Sequence, residues 1–539
     1  MSTTFRKITK FLYLASAAAL PAAKSDTSSI EWGPCNQTEV NTTGTAPAQC
    51  GTLPVPLDYT DTSSDKTLDL QLVNIPATIE PCKGSIQFNL GGPGATTRQD
   101  LATFGYSFLN LTGGQYNIVG FDPRGTGNTL PFSCVVTELE AQMLLQRFTQ
   151  GGNASDTALD TTWAGADLTA AMCKRNGNDT GSLIGTALTA RDLISVVDAL
   201  GEDGMLRFWG LSYGTTLGAT VASMFPDRID KIILDGVQNP HEYYHALADF
   251  EEWTQTDYVF SSIFTSCVEA GPETCLLASL NKTATELENM YWNFLYDLKY
   301  NPIPIEDADT IVDYATVKSF VINLLYSIDG WPAFTDILLA IFTAKSEKDV
   351  ATALSSMILA GGSSSSTSTS LVEQTIGLSS WAGIHCGDRF PRTENISDTL
   401  DVYHELTNIS HTFGDVLITR EMTCARWEFE AKERYSGNFT ANLPNSPMLL
   451  IGNTGDAFTP IKSAYNVSSG FEGSGVLEIE GFGHASLSVP SSCTLEHVSN
   501  YWKDGILPEK GTRCEVEAKP WGNVTWADIF SKKAKTGTE

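Results

Sequence analysis

The sequence predicts an α/β protein: a doubly wound, mostly parallel sheet with a large helical cap inserted before its last strands. Three observations predict it. Short apolar runs ending in tight turns, S-I-Q-F-N-L before G-G-P-G and Y-N-I-V-G-F-D before P-R-G, read as buried parallel strands. M-L-R-F-W-G, a tight turn and T-T-L-G-A-T-V-A-S-M-F read as strand, turn and helix. After a long helical stretch, P-M-L-L-I-G-N-T-G-D and G-V-L-E-I-E-G-F-G-H restore the strand-then-turn pattern. Strands that alternate with helices close into a parallel sheet with helices on both faces.

In chain order, Arg6, Lys7 and Lys10 precede a short apolar run over 11–23, and Pro21 and small alanines follow. The run is too short to span a bilayer, and residues 1–23 read as a cleavable secretory signal. The first part of the core is expected over 24–240. It opens with an antiparallel strand over 68–76, where polar and apolar residues alternate. The runs at 85–90 and 116–122 follow, then a helix over 190–200, the strand and helix around residue 212, and the buried strand K-I-I-L-D-G-V. Pro226 stops the helix after residue 212. From 241 to 443 the reading is mainly helical and forms the cap. Within it, the Gly/Ser/Thr tract at 361–370 has the composition of a mobile loop. The core resumes over 444–539.

A chain of 539 residues exceeds what one hydrophobic core usually serves, which suits a core with a large insertion. The formal charge of −29 excludes nucleic acid and anionic membrane surfaces as natural partners. No later stretch approaches the about 20 apolar residues of a membrane span. With a secretory signal, the 11 cysteines read as disulfides. Proximity in sequence suggests Cys35–Cys50, Cys134–Cys173, Cys267–Cys275, Cys386–Cys424 and Cys493–Cys514, leaving Cys82 over. There is no cysteine and histidine spacing that suits zinc, so no metal and no cofactor are assigned. Sequons from Asn36 to Asn523, Asn178 among them, fit a glycosylated secreted chain.

The chemistry begins at R-F-W-G-L-S-Y-G-T-T-L-G. G-x-S-x-G is short enough to occur by chance, but a strand before it and a helix after it are the setting of a nucleophile elbow. That makes Ser212 the candidate nucleophile. In such a fold the acid and then the histidine follow the serine in the chain. Of seven histidines, His241, His245, His385, His404 and His411 precede the last strands, and His497 lies in a helix-like stretch. His484, after an apolar strand and a G-F-G turn, is left as the base. Asp456 ends the preceding strand and is the favoured acid. Asp235, at the end of K-I-I-L-D, is its rival, with backbone amides at the sheet edge as its alternative partners. The oxyanion donors are expected to be the backbone amides of Tyr213, next after the serine, and Gly92 in N-L-G-G-P-G.

These segments, with C-G-T-L-P-V-P-L-D-Y, F-D-P-R-G-T-G, I-H-C-G-D, C-A-R-W and the tail G-F-G-H…S-S-C…Y-W…G-I-L-P-E-K-G-T-R-C, resemble the secreted tripeptidyl aminopeptidase branch of the prolyl-aminopeptidase-like α/β-hydrolases. The resemblance runs from about Cys35 to Cys514. It implies the α/β-hydrolase fold and a serine exopeptidase that removes short peptides or single residues from free N-termini. Ser212, Asp456 and His484 match its triad positions, and Gly92 and Tyr213 its oxyanion positions. It also implies acidic cap residues for the substrate ammonium, at no position assignable from the sequence. Three departures lie near the acyl or amine pocket. Asn89–Leu90 precedes the glycines, A-T-T-R follows them, and G-V-Q-N-P lacks the usual acid before proline. An esterase or lactonase using the same triad on a small acyl substrate is the alternative. An inert hydrolase-fold binding protein is the third, and it predicts loss of a triad that is present here.

Overall fold

A computed structural model describes residues 30–177, 180–361 and 370–536. The predicted signal at 1–23, the sequon at Asn178 and nearly all of the Gly/Ser/Thr tract lie outside them. The strands are β1 (Gly33–Pro34), β2 (Gln49–Pro56), β3 (Thr67–Ile75), β4 (Ser85–Asn89), β5 (Asn117–Phe121), β6 (Leu206–Leu211), β7 (Ile229–Asp235), β8 (Ile303–Ile305), β9 (Thr310–Val312), β10 (Leu449–Gly455), β11 (Gly475–Phe482) and β12 (Arg513–Glu515). Ten of them form one sheet in the order β1-β2-β3-β5-β4-β6-β7-β10-β11-β12. The first three are antiparallel, and every pair from β5–β4 to β11–β12 is parallel. This is the α/β-hydrolase fold.

The central strands are apolar along their whole length because helices cover both faces. All five residues of β4 and all six of β6 are buried. Helices Thr186–Leu200 and Tyr213–Met224 pack against one face, and Arg98–Leu111 and Ser492–Asp504 against the other. β3 alternates exposed and buried residues at its start, as an antiparallel strand with one wet side does.

Between β7 and β10 the described residues run mainly in helices from Pro240–His245 to Gly414–Ala425, with the small β8–β9 hairpin among them. A second excursion, between β5 and the helix Thr186–Leu200, adds helices Glu138–Phe148 and Ala158–Asn176. Both pack on Gly414–Ala425, where Gly152 N–H donates to the Asp415 carbonyl at 2.6 Å. The helical layer over the sheet therefore comes from two separate parts of the chain. All five disulfides pair as sequence proximity suggests, and Cys82 is an exposed free thiol. Cys386–Cys424 ties helix Ile376–Asp388 to helix Gly414–Ala425, and those two helices wall the cavity described next. No helix among the described residues is long and apolar enough to cross a membrane.

Candidate active site

Ser212 stands where β6 ends and the helix Tyr213–Met224 begins. Its backbone has φ 55° and ψ −127°, a region that side-chain-bearing residues rarely adopt, so surrounding contacts must hold it there. Three of those contacts require glycine. A Cβ on Gly210 would lie 2.1 Å from the Gly214 carbonyl oxygen, and one on Gly214 would lie 2.4 Å from that of Asn89. A Cβ on Gly91 would lie 2.8 Å from the Ser212 Cβ. The glycines of G-x-S-x-G thus serve close approach, while the serine itself carries the strained turn. Ser212 N–H donates to the Asp235 carbonyl at 3.0 Å, locking the turn to β7.

As the first residue of the helix, Tyr213 has a backbone N–H with no helical acceptor. Asn89 Oδ1 accepts from the Gly91 amide at 3.1 Å and shapes the N-L-G-G-P-G turn. Gly92, at φ 113°, lines the same cavity as Ser212. The A-T-T-R departure has a structural explanation. Asp122 accepts from the Thr97 and Arg98 amides and from Arg98 Nε at 2.8–3.1 Å, fastening the first helix after the turn to the end of β5.

Asp456 and His484 meet beyond the ends of β10 and β11. His484 Nδ1 lies 3.0 and 3.1 Å from the two carboxylate oxygens of Asp456. Asp456 also accepts from the amides of Phe458, Thr459 and Ala485 and from Thr459 Oγ1, at 2.7–3.0 Å. Burial alone would raise its pKa, but the His484 charge and these donors hold it below the usual carboxylate value. Burial pulls the His484 imidazolium down, and the Asp456 charge and hydrogen bond, with Asp235 behind them, more than offset this, so its pKa lies above 6.5. The loop is clamped from two sides. Asn453 Nδ2 donates to the Gly483 and Ala485 carbonyls, and His484 N–H donates to the Tyr326 carbonyl from the helical layer. Ser212 Oγ has no hydrogen-bond partner among the described residues, His484 included.

Asp235 sits elsewhere. It accepts from Ser486 N at 2.8 Å, from Ser486 Oγ at 2.5 Å and from Trp209 Nε1 at 3.3 Å. It makes no hydrogen bond to the imidazole and acts on it through charge alone. Burial raises it to about 6, against those donors.

The sequence left the far wall of the site unassigned. Ser212 and Gly92 open into a cavity of about 290 Å³ that also takes in Asp249, Glu252, His385, Arg420 and Glu421. Arg389, fully buried, pairs with Asp249 at 2.6 Å and with Glu421, and donates to the Leu247 carbonyl at 2.9 Å. His385 Nε2 lies 3.4 Å from Asp249, and burial followed by the Arg389 charge lowers its pKa to about 4. Among the described residues Glu252 has no ion-pair partner within 4.0 Å, and it lies beside Gln238, the neighbour of Asn239 in the G-V-Q-N-P segment. Burial, then the Asp249 charge, pushes its pKa well above the carboxylate range. The remaining walls are largely apolar, with Phe148, Trp381, Tyr326 and Phe458 prominent. Cues existed in the one-letter code, in D-F-E-E-W and T-R-E-M, but acidic residues are too common here to stand out.

Among the described residues the His/Cys/acid group compact enough for a metal ion is Cys493, His497 and Cys514. Its two sulfurs are joined in a disulfide, which leaves no thiolate ligand.

Two family models match this chain. One, described as alpha/beta hydrolase fold, covers residues 103–264, and the other, described as TAP-like protein, covers 410–514. The tripeptidyl aminopeptidase of Streptomyces lividans is 24% identical over 514 residues, 94% of this chain and 90% of the relative. The serine protease Hip1 of Mycobacterium tuberculosis strain H37Rv is 25% identical over 497 residues, 90% of this chain and 91% of the relative. The carboxylesterase B of Mycobacterium tuberculosis strain CDC 1551 is 24% identical over 506 residues, 92% of each. Among solved structures, an alpha/beta hydrolase enzyme from a Medee basin deep-sea metagenome library matches at TM-score 0.35 and 13% identity, over 82% of this chain and 96% of that one.

Proposed function

We propose that this chain, a serine hydrolase of the α/β-hydrolase fold, is a secreted aminopeptidase releasing short peptides, tripeptides in particular, or single residues from free N-termini. Ser212 Oγ attacks the scissile carbonyl and His484 takes its proton, later giving it to the leaving amine. Asp456 keeps the Nδ1 proton of His484 in place and stabilises the imidazolium. The oxyanion rests on the amides of Tyr213 and Gly92. Water then hydrolyses the acyl-enzyme by the same route.

The single observation that carries the aminopeptidase reading is Glu252. It is a cavity carboxylate with no cation within ion-pair distance among the described residues, the Arg420 charge reaching it only from farther off, in the space into which Ser212 opens. A peptide's terminal ammonium supplies the missing cation and draws Glu252 into its ionised form, with Asp249 adding negative charge behind it. The likeness to a tripeptidyl aminopeptidase and to a serine protease over most of the chain supports the same reading. The five disulfides support an oxidising destination, and with it the secretory signal.

The test compares free-amine and N-acetylated tripeptide anilides. The free-amine form is expected to be hydrolysed and the acetylated form spared; equal cleavage of the two sinks the aminopeptidase assignment. Glu252→Gln should lower kcat/KM on the free-amine substrate by about 10- to 100-fold, the worth of a charge-assisted hydrogen bond. A fluorophosphonate probe should label the wild type and not Ser212→Ala. An esterase acting on small acyl substrates is the second reading, favoured by the carboxylesterase relative. Turnover of short acyl esters with no release from any peptide amide would select it.

A further inference from the structure

Neighbouring residues on helix Gly414–Ala425 have opposite fates. Glu421 turns to Arg389, whose buried guanidinium spends four of its five N–H groups on two carboxylates and two backbone carbonyls. Arg420 turns into the cavity, with its guanidinium carbon 5.2 Å from the centroid of the Trp381 ring. Among the described residues it has no ion pair and no hydrogen bond. Every other arginine of the described residues has at least one. Glu252 and Glu421 feel its charge, but neither carboxylate comes within ion-pair distance of it, in a chain with 63 acidic and 34 basic residues.

Trp381 fixes where Arg420 lies. A Cβ on Gly94 would come within 2.5 Å of the Trp381 amide nitrogen, so the helix bearing this ring is pressed against the G-G-P-G turn. The ring provides a flat cationic seat, and its own flank is closed by Phe148 and His385. A half-buried guanidinium on an aromatic face, with its N–H groups unbonded, is a fork matched to a planar carboxylate.

We infer that Arg420 is a carboxylate-binding subsite, so the preferred substrate carries a carboxylate as well as the free amine. The inference rests on the aminopeptidase reading for the amine and on Arg420 alone for the acid. The carboxylate has two sources: an acidic side chain in the released segment, or the C-terminus of a peptide short enough to lie wholly in the cavity.

Two substrate sets separate the sources. Tripeptide anilides with Glu against Gln at each position in turn test the side chain. Short peptides with a free C-terminus against their C-terminal amides test the terminus. In one set the wild type should favour the carboxylate at least about tenfold in kcat/KM. Arg420→Gln should bring that ratio to about 1, and Arg420→Lys, which keeps the charge without the fork, should leave part of it. Fluorophosphonate labelling of Ser212 in each variant verifies that the protein is folded. A wild-type ratio near 1 in both sets overturns the subsite, and so does a ratio that survives Arg420→Gln. Should peptides not be cleaved at all, the aminopeptidase reading fails by itself. Aryl hemisuccinate against aryl methyl succinate then tests Arg420 by the same ratio and the same two variants.

Discussion

Asp235 and Asp456 stand at the ends of neighbouring strands, are both fully buried, and differ only in what faces them. β7 delivers Asp235 to the amide and hydroxyl of Ser486 and the indole of Trp209, all neutral donors. They do not outweigh burial, and its pKa rises to about 6. β10 delivers Asp456 to three amides, a hydroxyl and an imidazole that can become a cation. Its pKa falls below the usual value. Two carboxylates one strand apart are thus tuned in opposite directions: the His484 charge lowers both, but only Asp456 adds a hydrogen bond to the ring and outweighs its burial. The one beside His484 can answer a proton arriving on the ring. The other braces the loop that carries the ring.

The sharpest way to break this comparison is Asp456→Asn. It removes the charge that stabilises the imidazolium and the acceptor that fixes its tautomer, so kcat should fall by about 10⁴-fold with the fold intact by circular dichroism. Near-normal turnover would hand the role to Asp235. Asp235→Asn should instead appear in stability. It mispairs a buried acceptor with Ser486 and Trp209 and should cost about 1–3 kcal/mol in denaturant melts, with a far smaller loss of kcat. The smallest effect is on pH dependence. A base must be neutral to accept a proton, and the pKa of His484 is raised, so kcat/KM should fall as pH drops through an apparent value above 6.5. Removing a nearby negative charge lowers an imidazolium pKa, so Asp235→Asn should move that acid limb slightly to lower pH. A shift upward, or none, would mean that Asp235 does not act on the ring through charge.

The strands were legible in the sequence because a buried parallel strand leaves a continuous apolar run, and turns leave glycine and proline after it. Ser212, Asp456 and His484 were legible because each ends such a run, and chain order restricts which histidine can follow. The disulfide pairs were legible because short separations in sequence make short loops. The walls of the cavity were not. Leu145 and Phe148 belong to one helix, in a stretch that reads from the sequence as core with no helix assigned, and Asp249, Glu252, Arg420 and Glu421 lie about 170 residues apart at their extremes. No periodicity or spacing links them.

By itself the sequence determined a chain folded as a parallel sheet with a strained serine at one strand end and an acid and a histidine at two later ones. Those are local events, set by hydrophobic runs, close-approach glycines and strand termination. Only the tertiary structure decided which carboxylate faces the imidazole, which arginine is paired with carboxylates and which is left open. Burial and the few ångströms between charges fix those outcomes, and neither is encoded in neighbouring residues. The place of Ser212 was written along the chain, and the lining of the cavity it opens into was decided across the chain.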